Sequence, residues 1–137
     1  MTTISAVSSI AASGLYAAQA RLNASASNVA NSQSGGAAPG AATSSRPLTT
    51  YQPVAVDQSS LAGGGVAVSV RMVQPGYFMA YEPDSPNADA HGMEAMPDVD
   101  LGLEAVNQMQ ASRQYEANLK VLDVANQMQK AALKIDV

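Results

Sequence analysis

Apolar residues recur at helical spacing at both ends of this chain and alternate with smaller or polar ones in the middle. Near the start, Ile4, Val7, Ala11, Leu15, Ala18, Leu22, Ala26 and Val29 step by 3, 4, 4, 3, 4, 4 and 3. That spacing predicts one helix with a narrow apolar seam. Its eleven-residue period, about 3.67 residues per turn, goes with a nearly straight or slightly right-handed course. Thr2 or Thr3 caps the start, and NSQSGG supplies the stop, with Gly35 and Gly36 free to take positive φ. Helical spacing returns from Asp98. Leu103, Val106, Tyr115, Leu119 and Leu122 form one face, with Val121, Val124, Met128, Ala131 and Ile135 alongside. Asp98 is the expected N-cap, Asp100 and Glu104 sit at the positive end of the helix dipole, and Lys130 and Lys134 at the negative end.

The middle of the chain reads differently. Residues 32–46 are a low-complexity linker of small residues. LTTYQPVAV (48–56) and GVAVSVRMV (65–73) have strand composition, joined by DQSSLAGG as a hairpin loop, with Pro53 placing the first strand at an edge. YFMAY (77–81) offers a short third strand, and residues 82–100 read as an extended, turn-rich connection. The predicted fold class is mainly α. Long N- and C-terminal helices pair as an antiparallel coiled-coil-like hairpin, with a small β-hairpin insert and extended loops. The segments are 1–31 (N-terminal helix), 32–97 (linker, a β insert at about 48–82, acidic connection) and 98–137 (C-terminal helix). Two helices cannot cover both of each other's apolar faces. Copies of the same hairpin or its homologues are the simplest cover, and head-to-tail contacts close into rings or run on as filaments.

Composition narrows the function. Apolar residues make up 47% of the 137, but aromatics only 4%, with one Phe and no Trp. Much of the apolar fraction is Ala, which buries little area per side chain. The absence of cysteine excludes disulfides and thiolate metal sites. The opening segment has no basic residue before Arg21, and its apolar runs are broken by Ser and Gln, so it fits neither a secretory signal nor a membrane span. Net charge is −4, and residues 82–104 hold seven acids with no Lys or Arg. With no basic cluster, nucleic acid is not an expected partner.

Candidate chemistry is sparse. His91, the only histidine, lies near Asp89 and Glu94, too few ligands for a metal centre. DVDLGLE (98–104) differs from a calcium loop in the offset of its Gly and has Met109 where the bidentate Glu belongs, so helix capping is the simpler reading. The glycines at 63–65 lack the lysine and following helix of a phosphate loop and read as a turn. No nucleophile–base or paired-carboxylate arrangement stands out. No cofactor, small-molecule substrate or enzymatic activity is expected.

Three stretches carry a resemblance. SGLYAAQARLNASASNVAN (13–31) resembles the N-terminal signature of bacterial flagellar axial proteins: S-G-L-x-A, then R-L, then A-x-N-x-A-N. ASRQYEANLKVLDVANQM (111–128) resembles the matching C-terminal signature of rod and hook proteins. YEPDSPNADAHGMEAMPDVDL (81–101) resembles a segment specific to the FlgC family of proximal rod proteins, departing from it at Met93 and Asp98. The resemblance carries the motif positions Ser13, Gly14, Leu15, Arg21, Leu22, Asn28, Asn31, Arg113, Tyr115 and Asn118. It implies a structural subunit of the basal-body rod, exported unfolded by the flagellar type III apparatus without a cleaved signal peptide. Assembly in the periplasm would proceed by packing of the terminal helices into a tube. Copies of itself, homologous rod proteins, the export apparatus and the membrane-ring or rod-base adaptor are the implied partners. It also suggests that Asn28, Asn31 and Asn118 fix register or turns. The alternatives are another axial rod protein or, in a different class, a helical export chaperone or adaptor.

Overall fold

The computed structural model describes residues 2–37 and 49–135; residues 38–48, and the side chains of Thr2, Thr3 and Ile135, lie outside the described part, and with them the proposed caps Thr2 and Thr3, most of the linker and one seam residue. The elements in chain order are α1 (Thr2–Ala30), β1 (Val54–Ser60), β2 (Val66–Met72), β3 (Tyr77–Tyr81), β4 (Met93–Pro97) and α2 (Leu101–Ile135). Two long helices bracket two small two-stranded sheets, β1–β2 and β3–β4. The chain divides into two compact units. Unit 1 comprises Met1–Asn23, Val56–Ser69 and Val106–Val137, and unit 2 comprises Ala24–Ala55 and Val70–Ala105.

In unit 1 the tip of the β1–β2 hairpin lies against α1. The turn is closed by Leu61 N–H donating to the Gly65 carbonyl (3.1 Å) and Gly64 N–H to the Leu61 carbonyl (2.9 Å). Gly64 and Gly65 both have positive φ, so the turn needs residues without a Cβ. A Cβ on Gly64 would also meet Ile10, and one on Gly65 would meet the Ser13 hydroxyl. The strands sit further along than their composition suggested. Pro53 has no N–H to donate and pairs only through its carbonyl, which accepts from Val73 N–H (2.8 Å), and β1 continues through the segment expected to be loop.

Unit 2 holds a strand that composition did not reveal. β4 pairs antiparallel with β3 from Tyr77↔Pro97 to Tyr81↔Met93, so YFMAY joins a second sheet rather than extending the first. MEAMP reads poorly as a strand because Glu, Ala and Pro disfavour one. It is held from both sides: on its other edge Gly36 and Ala95 exchange both backbone hydrogen bonds (2.9 and 3.0 Å). That explains Gly35 and Gly36. Neither takes positive φ. Gly35 instead leaves room for Glu94 and Met96, whose atoms come within 2.5 Å of where its Cβ would stand. α1 is ended by Asn31, whose Nδ2 donates to the Ser27 carbonyl (2.9 Å).

The N-cap of α2 is Asp100 rather than Asp98. Its Oδ1 accepts from Leu103 N–H at 3.0 Å, two residues into the helix that opens at Leu101. In the acidic connection, Asp89 Oδ1 accepts from Met93 N–H (3.0 Å) and His91 N–H (2.8 Å). Those two N–H groups, Met93 first, hold the Asp89 carboxyl below its ordinary value. A depressed pKa contributes stability above the unfolded value and loses it as pH falls through the folded one. The turn should therefore stay closed at about pH 4, where an ordinary aspartate titrates, and open only below it. Amide shifts of His91 and Met93 in an acid titration would show this; opening at the ordinary carboxylate value would contradict it.

Candidate assembly surface

Packing on the helices is inverted. Among the described residues, the buried apolar side chains of the helices are all alanines, Ala11, Ala17, Ala18, Ala111 and Ala125 in unit 1; unit 2 buries Ala37 and Ala95 with Pro53 and Pro97. Most large apolar side chains of the helices are exposed, Val7, Leu22, Val29, Leu103, Leu119 and Met128 among them. Of the seam read from the sequence, Ala11 and Ala18 are buried, Ile4 and Leu15 half-buried, and Val7, Leu22, Ala26 and Val29 exposed. On α2, Leu122 is half-buried, while Leu103, Val106, Tyr115, Leu119 and Met128 are exposed. The face turned inward within the chain is instead Ala11, Gly14, Ala18, Arg21, Ser25 and Asn28 on α1, and Ala111, Gln114, Asn118, Leu122 and Ala125 on α2. Steps of 3 and 4 alternate along the α1 face. Ala17, 0% exposed, falls between those steps, so the inward positions form no strict heptad.

The outward side chains are not scattered. In unit 1 an open apolar groove of about 460 Å³ runs between Ile4 and Val7 on α1 and Val121, Val124, Ala125 and Met128 on α2. A smaller notch is lined by Ala18, Leu22, Ala111 and Tyr115. Contiguous apolar surface of this kind marks a contact with another macromolecule. No helix among the described residues is long and apolar enough to cross a membrane.

The motif positions have local work. Ser13 Oγ accepts from Val66 N–H (3.1 Å) and donates to the Ile10 carbonyl (2.7 Å), fastening the hairpin tip to α1. Gly14 is buried because Asn118 occupies the space its side chain would fill, 2.7 Å from an ideal Cβ. Asn118 Nδ2 in turn donates to the Gln114 carbonyl (2.9 Å). Arg21 reaches Gln110 Oε1 at 3.5 Å. Arg113 is exposed.

Asn28, 2% exposed, is the best-connected side chain of unit 2. Its Nδ2 donates to the Val54 carbonyl (2.9 Å) and to Glu104 Oε1 (2.7 Å). Its Oδ1 accepts from Val54 N–H (2.9 Å) and from the Tyr51 hydroxyl (3.0 Å). The amide thus pairs with the Val54 backbone as a neighbouring strand would. Ser25 Oγ donates to the Glu104 carbonyl (3.1 Å), and the Ser27 and Tyr51 hydroxyls lie 3.0 Å apart. Ser25 and Tyr51 were not singled out from the sequence, and Glu104 only as an acid at the start of the C-terminal helix. The seven-residue step from Ala11 through Ala18 to Ser25 was a legible signal for one of them. Elsewhere, Glu94 is buried and accepts from Asn87 Nδ2 (3.2 Å). Among the described residues no three His, Cys, Asp or Glu side chains gather as metal ligands would.

Comparison with known proteins agrees with the arrangement of the chain. The family model described as "Flagellar basal body rod FlgEFG protein C-terminal" matches residues 90–135. The flagellar basal-body rod protein FlgC of Salmonella typhimurium is 40% identical over 119 residues, covering 87% of each chain. FlgC of Aquifex aeolicus is 34% identical over 122 residues, again 87% of each. FlgC of Agrobacterium fabrum is 37% identical over 125 residues, 89% of this chain and 87% of its own. At this identity and coverage, with matches that reach both helices and the strands between them, the chain belongs to the FlgC family of flagellar basal-body rod proteins.

Proposed function

We propose that this chain is a structural subunit of the flagellar rod that builds the wall of a tube by offering its outer helix flanks to copies of itself and to homologous rod subunits. The observation that carries the reading is the inverted packing. A chain that buries Ala and Gly inside and turns Leu, Val, Met and Tyr outward has its cohesive surface on the wrong side for a monomer. Within unit 1, α1 and α2 run antiparallel in this reading. Ile4 and Val7 share a groove with Val121 to Met128, Gly14 meets Asn118, and Arg21 meets Gln110, so partner numbers fall as α1 rises. The N-terminal helix, the middle segment 32–97 and the C-terminal helix then serve as tube wall, lateral insert and tube wall. Export through the flagellar type III apparatus without a cleaved signal, assembly in the periplasm, and a contact with a rod-base or membrane-ring adaptor complete the reading. No catalytic role is needed.

The hairpin tip gives the test. Nothing lies within 4 Å of a Cβ built on Gly63, so the turn has room for an epitope there. The chain carrying an epitope after Gly63 should restore motility to cells lacking their own copy, and gold-labelled antibody should decorate the rod of isolated basal bodies. Label confined to soluble cytoplasmic complexes would replace this reading with that of an export chaperone.

A further inference from the structure

In each small sheet the alternation of the ladder decides which backbone groups are left over. Asp98 N–H donates to the Gly76 carbonyl (3.0 Å) and Glu82 N–H to the Gly92 carbonyl (2.9 Å), one beyond each end of β3. Phe78 and Ala80 therefore face β4, and the N–H and C=O groups of Tyr77, Met79 and Tyr81 point away from it. The outer groups of β4 are used within the chain. Ala95 exchanges both bonds with Gly36, and Met93 gives its N–H to Asp89 Oδ1 and accepts the Asp89 N–H on its carbonyl (2.9 Å). β3 has no such cover: among the described residues its sheet has no third strand. β2 has an open edge too. Val73 N–H goes to the Pro53 carbonyl on β1's side, while Val66 N–H, on the opposite alternation, goes to Ser13. Val68, Val70 and Met72 thus turn their backbone groups away from β1, and no third strand meets them among the described residues. Such edges are ordinarily blunted by a lysine, a proline or a bulge. YFMAY has no charge and no Pro, and its register is unbroken from Tyr77 to Tyr81. Met79 and Tyr81 are exposed, as are Val70 and Met72.

We propose that the outer edge of β3 is completed by β2 of a second copy, antiparallel, with Tyr77, Met79 and Tyr81 opposite Met72, Val70 and Val68 of that copy. An extended strand is what offers N–H and C=O groups at the spacing of this edge. β2 turns three residues outward as β3 does, and in this alignment their side chains form Tyr–Met, Met–Val and Tyr–Val pairs across one face. Charge selects β2 over a second β3. β3 runs into Glu82 and Asp84, and residues 72–112 hold no Lys or Arg, whereas the one charge of β2 is Arg71. The two edges differ, so the contact is head-to-tail and leaves each copy an edge for the next. This rests on the rod-subunit reading proposed above and names one contact between copies.

The chain has no cysteine, so introduced ones report the contact cleanly. Val70→Cys and Met79→Cys, singly and together, are expressed in cells lacking their own copy. Isolated basal bodies are oxidised and the chain is probed on non-reducing gels. Opposed residues of paired strands lie within disulfide reach. The double variant should give dimers and higher multimers, and neither single variant should. Tyr77→Cys with Met72→Cys is a second pair and should behave alike. Dimers from Met79→Cys alone would put β3 against β3 and overturn the choice of β2. Monomer alone from both pairs, in basal bodies that contain the chain, would overturn the strand contact and leave the rod assignment standing. Absence of the unaltered chain from basal bodies would overturn both. Met79→Pro removes only an outward N–H, because the ladder to β4 runs through Phe78 and Ala80. It should leave the circular dichroism of the purified chain unchanged and abolish rods; normal rods from Met79→Pro would overturn the contact.

Discussion

Leu22→Asp and Leu119→Asp should each leave the chain secreted but unable to build a rod, so that cells become non-motile. The two leucines are 40% and 42% exposed in the single chain. Each substitution therefore costs the isolated subunit little, because its carboxylate still reaches water. In the assembly we propose, the same positions are covered by a neighbour. An unpaired carboxylate there costs several kcal/mol or must take up a proton to escape. Every copy repeats that cost, so a loss tolerable in one contact is multiplied along the wall. On the proposed export route the chain passes unfolded, before any packed surface exists, and secretion should be indifferent to either residue. Gln127→Lys is the control. Gln127 is exposed and donates to Asp123 Oδ2 at 2.9 Å, a contact a lysine maintains. Variant protein outside the cytoplasm, scored with basal bodies by microscopy, decides the matter. Normal rods from both leucine variants would refute the assignment of these flanks to assembly, and loss of secretion would move their role to export.

The second large effect is expected at Asn28. Asn28→Asp changes almost no volume, yet it removes both Nδ2 protons. An anion then faces the Val54 carbonyl and Glu104 Oε1, which now lie 2.9 and 2.7 Å away as acceptors. Breaking a buried polar arrangement so that a charge is left unpaired costs about 3–5 kcal/mol. Unit 2 should lose most of its resistance to denaturant, while Asn31→Asp, at a half-buried turn, should cost far less. The pH dependence has a definite sign. Burial and the Glu104 carboxylate both raise the folded pKa of the introduced carboxyl above its unfolded value. The folded state then binds the extra proton, so the loss is full at neutral pH and is relieved as pH falls through the raised pKa. Denaturation monitored by circular dichroism between neutral and mildly acidic pH would show it. A pH-independent loss would mean that shape, not charge, is what Asn28 supplies.

Both helices and the β1–β2 hairpin were legible because each is written in a periodicity or in a glycine turn. The family motifs lay on the page as residues. The functions of those residues did not, since they depend on partners distant in sequence: Ser13 needs Val66, Gly14 needs Asn118, and Asn28 needs Val54 and Glu104. β4 was hidden because its strand character comes from neighbours on both edges, which override the weak propensity of MEAMP. The apolar stripe of α1 was legible as a stripe, but not which of its residues turn inward: Ala11 and Ala18 are buried while Leu22 and Val29 are exposed, and the inward positions also include Gly14, Ser25 and Asn28, which hydrophobic periodicity scores as neutral. Capping at Asp100 rather than Asp98 turned on two residues of offset, a distance pattern reading does not resolve.

The alanine-lined seam has a mechanical consequence. Torsion applied to a bundle is absorbed where side chains can change rotamer, and alanine has no rotamer to change. On the proposed pairing, the helix segments of unit 1 meet through Ala11, Ala18, Ala111 and Ala125, with Asn118 lodged at Gly14, so this seam has few rotamers to change. Leu22, Leu119 and Met128, whose side chains have several staggered states, are exposed, on the flanks proposed to meet other subunits. In the assembly we propose, torsion would be taken up where subunits meet rather than within the unit 1 seam, so a rotating column would carry torque without unwinding that pair of helix segments.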